Sequence, residues 1–344
     1  MESVGTRKRN IDFLKGILAL FIITLHFDFP EFSIARKLFP VSVEMAVPMF
    51  LFISGYLGTL SFNKNGIDSF FAAYSHKFWF PKIKRIVFPF VLFFVAEQIL
   101  FRVWKFYTVD IFEYGVLALL FDFLTGGKGQ GSYYFPIMLQ YVFVFPVIFF
   151  VIKKNGFKGL CGVFGINLLF EVLKQAYGMP EYEYRLLIFR YLYVIAAGCF
   201  AAFECDSKGD ALYTIKKKPL VSTISFFLGL GFICLFCYTN YRPKIITLWA
   251  STSVLCCLYI VPLMSAYVKK VSIRFAPIEL LGKASWHIFL FQMLYYVYYY
   301  SVASHPIDNL VLRYIGSVLI CISGGVLFYF FEKGIFYVKT RVLR

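Results

Sequence analysis

The sequence predicts an all-α protein, a polytopic transmembrane helical bundle with about ten spans and one extra interfacial or re-entrant helix. Of its 344 residues, 60% are hydrophobic and 21% are aromatic, and the mean hydropathy is +0.72. This composition is too apolar for a soluble globular protein. Apolar runs long enough to cross about 30 Å of hydrocarbon also recur along the chain. We predict a single integral membrane domain over residues 1–344, because no soluble stretch is long enough for a separate catalytic domain.

The spans follow from hydropathy and length. In chain order we predict them at residues 11–29, 43–61, 84–104, 133–152, 159–174, 185–204, 219–239, 244–267, 280–301 and 309–331. Residues 110–125 are apolar but short and carry Asp110, Glu113 and Asp122, so we place the interfacial or re-entrant helix there. The first apolar run has a basic segment before it and no small-residue cleavage site after it, which predicts a retained helix rather than a cleaved signal peptide.

The charge distribution orients these spans. If the N-terminus is cytoplasmic, the inner segments of the chain carry more Lys and Arg than the outer ones, as the positive-inside rule describes. We therefore predict a multi-pass protein of the cell membrane, in contact with membrane lipids and with both termini in the cytoplasm. The net charge of +16 is divided among the loops rather than gathered in one patch, so we predict no nucleic-acid partner.

The eight cysteines lie mostly within apolar runs. They have neither metal-ligand spacing nor a paired extracellular framework. We interpret them as buried thiols that act as small apolar residues, and we predict no metal site.

The first span contains two ionisable residues, Lys15 and His26, with ten residues between them. Eleven helical steps of ~100° make three turns plus ~20°, so both side chains lie on one helix face, ~16 Å apart along the axis. Ionisable groups inside a span are costly and usually functional. His26 could be a general base or orient a hydroxyl, or it could be an interfacial histidine bonded to a neighbour. Asp12 could pair with Lys15, or both could only snorkel to the inner interface.

The second apolar run contains the segment PMFLFISGY, residues 48–56. Ser54 and Gly55 interrupt an aromatic helix there, next to Tyr56. Small residues let a ligand or another helix approach closely. The segment is therefore either a binding element or a helix-packing notch.

Basic residues gather where the third span begins, in the segment PKIKRIVFP of residues 81–89. Lys82 and Arg85 lie one helical turn apart, with Lys84 beside them. Such a cluster could clamp phosphates, Arg in a fork geometry and Lys as a point charge. It could also serve only topology and contact with lipid headgroups.

Two later segments also carry polar or aromatic groups. Tyr133 and Tyr134 begin the segment that enters the fourth span, where aromatic residues form either an interface belt or a stacking surface for a sugar. The ninth span contains His287 and Gln292, and Glu332 ends the tenth. Read alone, His287 could be a satisfied helix histidine, and Glu332 could only pair with a nearby cation.

In this order and spacing, the motifs resemble the acyltransferase 3 family of integral membrane acyltransferases. That family typically has a basic residue, ten residues and then a His, with an Asp shortly before the basic residue. An aromatic stretch ending in Ser-Gly-aromatic and a basic-x-x-Arg pair with a Pro four residues on come next. A Trp/Tyr-rich entry to a middle span, a Gly-Lys-x-Ser segment and a Glu after the last span follow. The matching residues, in that order, are Lys15, His26 and Asp12; Phe50, Phe52, Ser54, Gly55 and Tyr56; Lys82, Arg85 and Pro89; residues 133–141; residues 282–285; and Glu332.

The chain departs from the family pattern at three points. Lys15 and Lys82 stand where the family usually has Arg, which keeps the charge but loses bidentate geometry. The late segment often ends Tyr-Leu-x-His, whereas here the last position is Gln292. His287 lies ~140° away on the helix and is a poor substitute. The departure leaves His26 as the main catalytic candidate and puts a two-histidine mechanism in doubt.

The resemblance implies an O-acyltransferase, most simply an O-acetyltransferase. The implied donor is acetyl-CoA, and the implied acceptor is a hydroxyl of a cell-envelope or surface polysaccharide or of its lipid-linked precursor. His26 and Lys15 would be catalytic, whereas Lys82, Lys84 and Arg85 would hold the donor's phosphates, with Lys15 as a further candidate. The implied substrate-binding or structural supports are Asp12, Ser54, Tyr56, Tyr133, Tyr134 and Glu332.

Two other classes of protein remain open at the level of sequence. A transporter or flippase for a lipid-linked glycan would predict internal repeats with broken helices in matched positions, and we find no convincing repeat. A scaffold subunit of a glycan-synthesis complex would use the motifs for packing only. A scaffold would tolerate His26→Ala, whereas an enzyme would lose acyl transfer.

Overall fold

The computed structural model describes residues 4–29, 46–104, 111–208, 275–301 and 309–342, and every regular element within them is helical. A 3-10 helix, Ile188–Tyr191, accompanies the α-helices. In chain order the α-helices are α1 (Val4–His26), α2 (Ala46–Lys64), α3 (Phe70–Ala73), α4 (His76–Trp104), α5 (Ile111–Thr125), α6 (Tyr134–Ala176), α7 (Glu181–Leu186), α8 (Leu192–Lys208), α9 (Ala276–Lys283), α10 (Ser285–Ser301) and α11 (Leu310–Val342). The prediction of an all-α helical bundle is confirmed.

Three helices are long and apolar enough to cross a membrane within the described ranges. They are α2, α6 and the part Leu310–Ile335 of α11. Leu327 and Val311 of α11 are exposed, as is expected of apolar side chains that face lipid. The predicted spans 219–239 and 244–267 lie outside the described residues, so the count of about ten spans stays a prediction.

Helix α6 is interrupted at one residue. Its 43 residues would extend about 65 Å if straight, about twice the hydrocarbon thickness. Gly156 leaves the helical conformation, with φ 53° and ψ −127°, which glycine adopts at little steric cost. The break falls between the predicted spans 133–152 and 159–174.

Two other predicted spans differ from the observed helices at their starts. Residues 280–301 belong to two helices, because Ala284 ends α9 with φ −87° and ψ 1° before α10 begins. The predicted span 185–204 begins with the last two residues of α7, is interrupted where Leu187 is extended and the 3-10 helix follows, and is α-helical again from Leu192. Hydropathy is averaged over many residues and is therefore insensitive to such local breaks.

The predicted short helix at 110–125 corresponds to α5. Gly115 breaks it with φ 66° and ψ 175°. Beyond this break, Val116 and Leu117 are 82% and 81% exposed. A short helix with an exposed apolar surface fits the predicted interfacial or re-entrant position, which itself stays a prediction.

Packing divides the described residues into two compact units. Unit 1 contains the described parts of residues 1–11, 29–80 and 140–274, and unit 2 contains those of residues 12–28, 81–139 and 275–344. The expectation of a single integral membrane domain over the whole chain stays a prediction.

In unit 1, helices α2 and α8 pack through reciprocal glycines. A Cβ added at Gly55 would collide with the carbonyl of Ile195, and one added at Gly198 would collide with the carbonyl of Phe52. Backbones of two apolar helices approach this closely only where side chains are missing. The SGY segment therefore contributes to helix packing.

Unit 1 also buries an arginine. Arg190 is fully buried, and its guanidinium lies 4.6 Å and 4.7 Å from the ring centres of Tyr184 and Tyr191. The Tyr184 hydroxyl donates to Glu171. Burying a charged group in an apolar interior costs free energy. The faces of the two tyrosine rings offset part of this desolvation cost.

Unit 2 contains the close pair α10 and α11. Gly324 and Gly325 of α11 lie against the Phe291 ring and the Ile288 backbone of α10. In the same unit, the rings of Phe90 and Phe135 stack at 3.5 Å between centroids, so α4 and the start of α6 pack closely as well.

Replacing Gly198 by alanine tests the α2–α8 contact. We expect Gly198→Ala to destabilise the protein by about 1–3 kcal/mol, because the added carbon must push two backbones apart. The measurement is the melting temperature of the purified protein in detergent. Gly162→Ala is the matched control, because Gly162 has no heavy atom within 4 Å of the added carbon. Equal melting temperatures for both variants would contradict the packing role.

Candidate active site

Unit 2 holds most of the predicted site residues. It contains Asp12, Lys15, His26, Lys82, Lys84, Arg85, Tyr133, Tyr134 and Glu332, whereas Ser54 and Tyr56 belong to unit 1.

His26 is the last residue of α1, and it bonds to a residue of α10. Its Nδ1 lies 2.9 Å from Oε1 of Gln292. An amide oxygen can only accept a hydrogen bond, so Nδ1 carries the hydrogen and donates it. In a neutral imidazole the lone pair then resides on Nε2, which is the atom that could receive a proton.

Two further hydrogen bonds hold the end of α1 within unit 2. The Tyr296 hydroxyl donates to the carbonyl of Ile23 at 2.8 Å, and Thr24 Oγ1 lies 2.8 Å from the hydroxyl of Tyr314. The Tyr296 ring also meets the His26 ring edge-on, with centroids 6.2 Å apart. The imidazole is therefore positioned by α10 and α11 as well as by its own helix.

A glycine-rich loop, residues 126–131 with the sequence GGKGQG, packs beside His26. A Cβ added at Gly131, whose φ is +89°, would lie 3.2 Å from Cε1 of His26. One added at Gly129 would lie 2.7 Å from Cβ of Met293, the neighbour of Gln292. The loop thus brings backbone rather than side chains close to the imidazole.

Glu97 of α4 anchors this loop. Its side chain is 0% exposed, and Oε1 accepts a hydrogen bond from the backbone N–H of Lys128 at 3.0 Å. A Cβ at Gly127 would lie 2.5 Å from Oε2 of Glu97, so only glycine fits over the carboxyl group. The Lys128 side chain points elsewhere, to Asp122 at 2.8 Å.

The start of the first motif meets the late Gly-Lys-x-Ser segment. Lys15 Nζ lies 3.9 Å from Oδ1 of Asp12, the pairing that the sequence allowed. Gly282 lies against the Asp12 backbone, and Gly16 lies against Ile278. Helices α1 and α9 therefore approach closely around residues 12–16, in the middle of α1.

The three cations of the basic cluster lie on α4. Lys84 and Arg85 are exposed and Lys82 is half-buried. Lys82 stands two residues before the predicted third span, and burial lowers the pKa of its ammonium group to about 8. The cluster is open to a charged ligand on Lys84 and Arg85.

The two tyrosines at the entry to α6 have different surroundings. Tyr134 is buried, with its ring 5.1 Å from that of Phe289 and 6.0 Å from that of Trp286. This packing fits a structural role for Tyr134 next to the loop. Tyr133 is only half-buried, so it is the better of the two for a stacking surface.

His287 and Glu332 bond to each other, through Nε2 and Oε2. Glu332 thereby has the nearby partner that the sequence allowed. His287 also packs against the rings of Phe328 and Tyr329. It belongs to the α10–α11 contact, and Gln292 rather than His287 is the α10 residue bonded to His26.

Ser54 and Tyr56 of unit 1 are held in the α2 packing described above. Ser54 Oγ donates to the Phe50 carbonyl at 2.9 Å, and the Ser54 carbonyl accepts from the Tyr141 hydroxyl at 2.7 Å. Tyr56 is buried. These contacts fit the structural interpretation of the segment.

Sequence reasoning missed Glu97 and the glycine-rich loop as parts of the site. Four glycines in six residues were a visible signal, since such a run allows close backbone approach. Gln292 was visible only as a departure from the family pattern. Glu97 had no signal except its charge inside an apolar run.

The arrangement can move one proton at His26 Nε2, in a setting shaped by loop backbone and by an amide. No group of three or more His, Cys, Asp or Glu side chains able to hold a metal occurs within the described part of the chain. The chemistry that this site supports by itself is general acid–base catalysis.

The family model of acyltransferase 3, described as an acyltransferase domain, matches residues 8–330. The match covers nearly the whole chain and includes Lys15, His26, the basic cluster and the glycine-rich loop, and it ends two residues before Glu332. It confirms the resemblance derived from the sequence motifs. No curated protein and no solved structure matches the chain.

Removing the Glu97 anchor should open the loop. For Glu97→Leu we expect trypsin to cleave after Lys128 roughly tenfold faster in the detergent-solubilised protein, because losing a buried hydrogen bond of about 1–1.5 kcal/mol raises the open population. Asp122→Asn is the control, since it removes only the exposed side-chain pair of Lys128. Cleavage that accelerates equally in the control would contradict the anchoring role.

Proposed function

The chain belongs to the acyltransferase 3 family of integral membrane acyltransferases, and we propose that it is an O-acetyltransferase that uses acetyl-CoA. The proposed acceptor is a hydroxyl of a cell-envelope or surface polysaccharide, or of its lipid-linked precursor. Membrane acyltransferase activity follows from the family. The donor and the acceptor are the proposal.

The observation that carries the proposal is the hydrogen bond from His26 to Gln292. It fixes the imidazole tautomer with Nδ1 protonated and Nε2 basic. A neutral imidazole held in one orientation suits removal of a proton from an alcohol, the step that makes a hydroxyl nucleophilic enough to attack a thioester.

The reaction then proceeds as follows at this site. His26 Nε2 takes the proton of the acceptor hydroxyl while the hydroxyl oxygen bonds to the thioester carbonyl carbon. The tetrahedral intermediate collapses, the carbon–sulfur bond breaks, and the protonated imidazole returns its proton to the sulfur. The products are an O-acetyl ester and CoA with a free thiol, and no oxidant or metal is required.

The donor would be held by the basic cluster. Lys84 and Arg85 are exposed cations on α4, and their chemistry suits phosphate oxygens. On α1, Lys15 and His26 are separated by ~16 Å along the helix axis. An extended pantetheine arm suits a site whose phosphate-binding and proton-accepting groups are far apart.

The acceptor class is supported by the family and by the half-exposed ring of Tyr133. A half-exposed tyrosine beside a glycine-rich loop could stack on a sugar ring while the loop backbone lies close to it. Lys128 and Gln130 are the exposed side chains of that loop, and both can hydrogen-bond to hydroxyl groups.

The first test is transfer of labelled acetyl from acetyl-CoA to envelope glycans in membranes. For His26→Ala we expect transfer to fall by at least about 10²-fold, the usual contribution of a general base. His76→Ala is the matched control, because His76 is an exposed histidine of unit 1. Both variants are compared with the wild type at equal amounts of the protein in the membrane. Their melting temperatures are measured to show that they are folded.

Each other outcome of this test has a definite meaning. Equal label with wild type and His26→Ala would remove His26 from the chemistry. No label with the wild type, in a strain where another acetyltransferase gives a signal, would overturn the proposed donor and acceptor.

The pH dependence of donor use tests the role of Lys82. Because burial lowers the pKa of Lys82 to about 8, its charge is present below pH 8 and is lost above it. We expect kcat/KM for acetyl-CoA to fall above pH 8. The fall should be absent in Lys82→Arg, since Arg stays protonated. Exposed Lys77 of the same helix gives the control Lys77→Arg, and an unchanged fall in Lys82→Arg would contradict the role.

A further inference from the structure

The amide of Gln292 has two ends, and among the described residues only one of them makes a hydrogen bond. Oε1 accepts the hydrogen bond of His26 Nδ1. The residue is 0% exposed, and Nε2 has no hydrogen-bond partner among the described residues. A donor group with two hydrogens is thus buried directly beside the imidazole.

Such a buried donor needs an explanation. Leaving a buried polar group unsatisfied costs about 1–3 kcal/mol, and buried polar groups in proteins are nearly always paired. A helix that only packed against α1 could have leucine or methionine here at no such cost. The missing partner is therefore expected in a bound ligand.

The surroundings specify where this ligand lies. Gly131 approaches His26 Cε1, and Gly129 approaches Met293, so loop backbone covers the same corner of the site as the amide. When the acceptor hydroxyl gives its proton to His26, the thioester carbonyl group that it attacks lies next to this corner. The atom that a donor stabilises there is an oxygen that gains negative charge during the reaction.

We propose that Gln292 is a second catalytic residue, whose Nε2–H donates to the thioester carbonyl oxygen while Oε1 holds the tautomer of His26. This inference rests on the proposed function. As the acceptor oxygen attacks, the carbonyl π electrons move to the carbonyl oxygen, where the Gln292 hydrogen bond strengthens. When the carbon–sulfur bond breaks, the electrons return and the thiolate receives the His26 proton.

Two substitutions separate this role from simple positioning of His26. Gln292→Glu keeps an oxygen acceptor for Nδ1–H and removes the donor. Gln292→Met has a similar volume and removes both. If Gln292 only positions the imidazole, the glutamate variant keeps its activity and the methionine variant loses it. If Gln292 also donates to the carbonyl oxygen, both variants lose activity.

We expect kcat of Gln292→Glu to fall by about 10²- to 10³-fold, the usual effect of removing one donor to an oxyanion, with KM for acetyl-CoA changed by less than about threefold. The acid limb of its pH–rate profile should move to higher pH, because the introduced carboxylate stabilises the protonated imidazole. Tyr295→Phe is the control. Tyr295 lies on the same helix as Gln292, and its hydroxyl bonds to Ser317 of α11. Losing that bond should leave kcat unchanged.

A second measurement does not depend on folding of the glutamate variant. It uses the dithioester analogue of acetyl-CoA, in which sulfur, a weak acceptor, replaces the carbonyl oxygen. We expect Gln292→Met to lose much less rate on the dithioester than on the thioester, relative to the wild type. Equal loss on both donors would overturn the inference.

The two levels of the proposal fail differently. Normal kcat in Gln292→Glu, with active wild type, would overturn the role of the amide donor and leave the proposed function intact. A wild type that transfers no acetyl group would overturn the proposed function and, with it, the inference.

Discussion

The hydrogen bond between His26 and Gln292 is the constraint around which the candidate site is built. In an apolar interior a polar side chain must find a partner, and the available partners are polar groups on neighbouring helices. The end of α1 therefore has three such bonds, to Gln292, Tyr296 and Tyr314. Together they determine the height and rotation of α1 against α10 and α11, and so the direction in which the imidazole faces.

Much of the helical fold was predictable, because a helix that crosses lipid needs a long apolar run and such runs are visible in the sequence. Within the described ranges, helices occupy most of each predicted span, and α5 lies where the extra short helix was expected. Helix breaks were less predictable. Ala284 and Leu187 change the backbone inside predicted spans, and a hydropathy average over many residues does not detect such a break. The break at Gly156 differs, because it falls between two predicted spans.

The candidate site was predictable only in part. The sequence singled out His26 as a candidate and allowed the Asp12–Lys15 pair, because both inferences need only the spacing of residues along one helix. The bond from His26 to Gln292 joins residues 266 positions apart, and no local pattern encodes it. The sequence drew attention to Gln292 because a histidine was missing there. The structure places the amide of Gln292 at that position in hydrogen-bond contact with His26.

Glu97 illustrates a different limit. A carboxyl group inside an apolar run signals that something polar must meet it, but not what. Its partner is the backbone of residues 127–129 rather than a cation. Backbone groups have no sequence signature, so glycine content is the only trace that such a contact leaves.

The glycine-rich loop also restricts how this protein can diversify. Gly127, Gly129 and Gly131 each face a different neighbour, namely Glu97, Met293 and His26. Any side chain at one of these positions collides with a group that the others do not touch, so no single compensating change permits all three to vary. Lys128 and Gln130 alternate with them and are exposed. Among residues 127–131, substitutions are therefore expected to be tolerated mainly at Lys128 and Gln130.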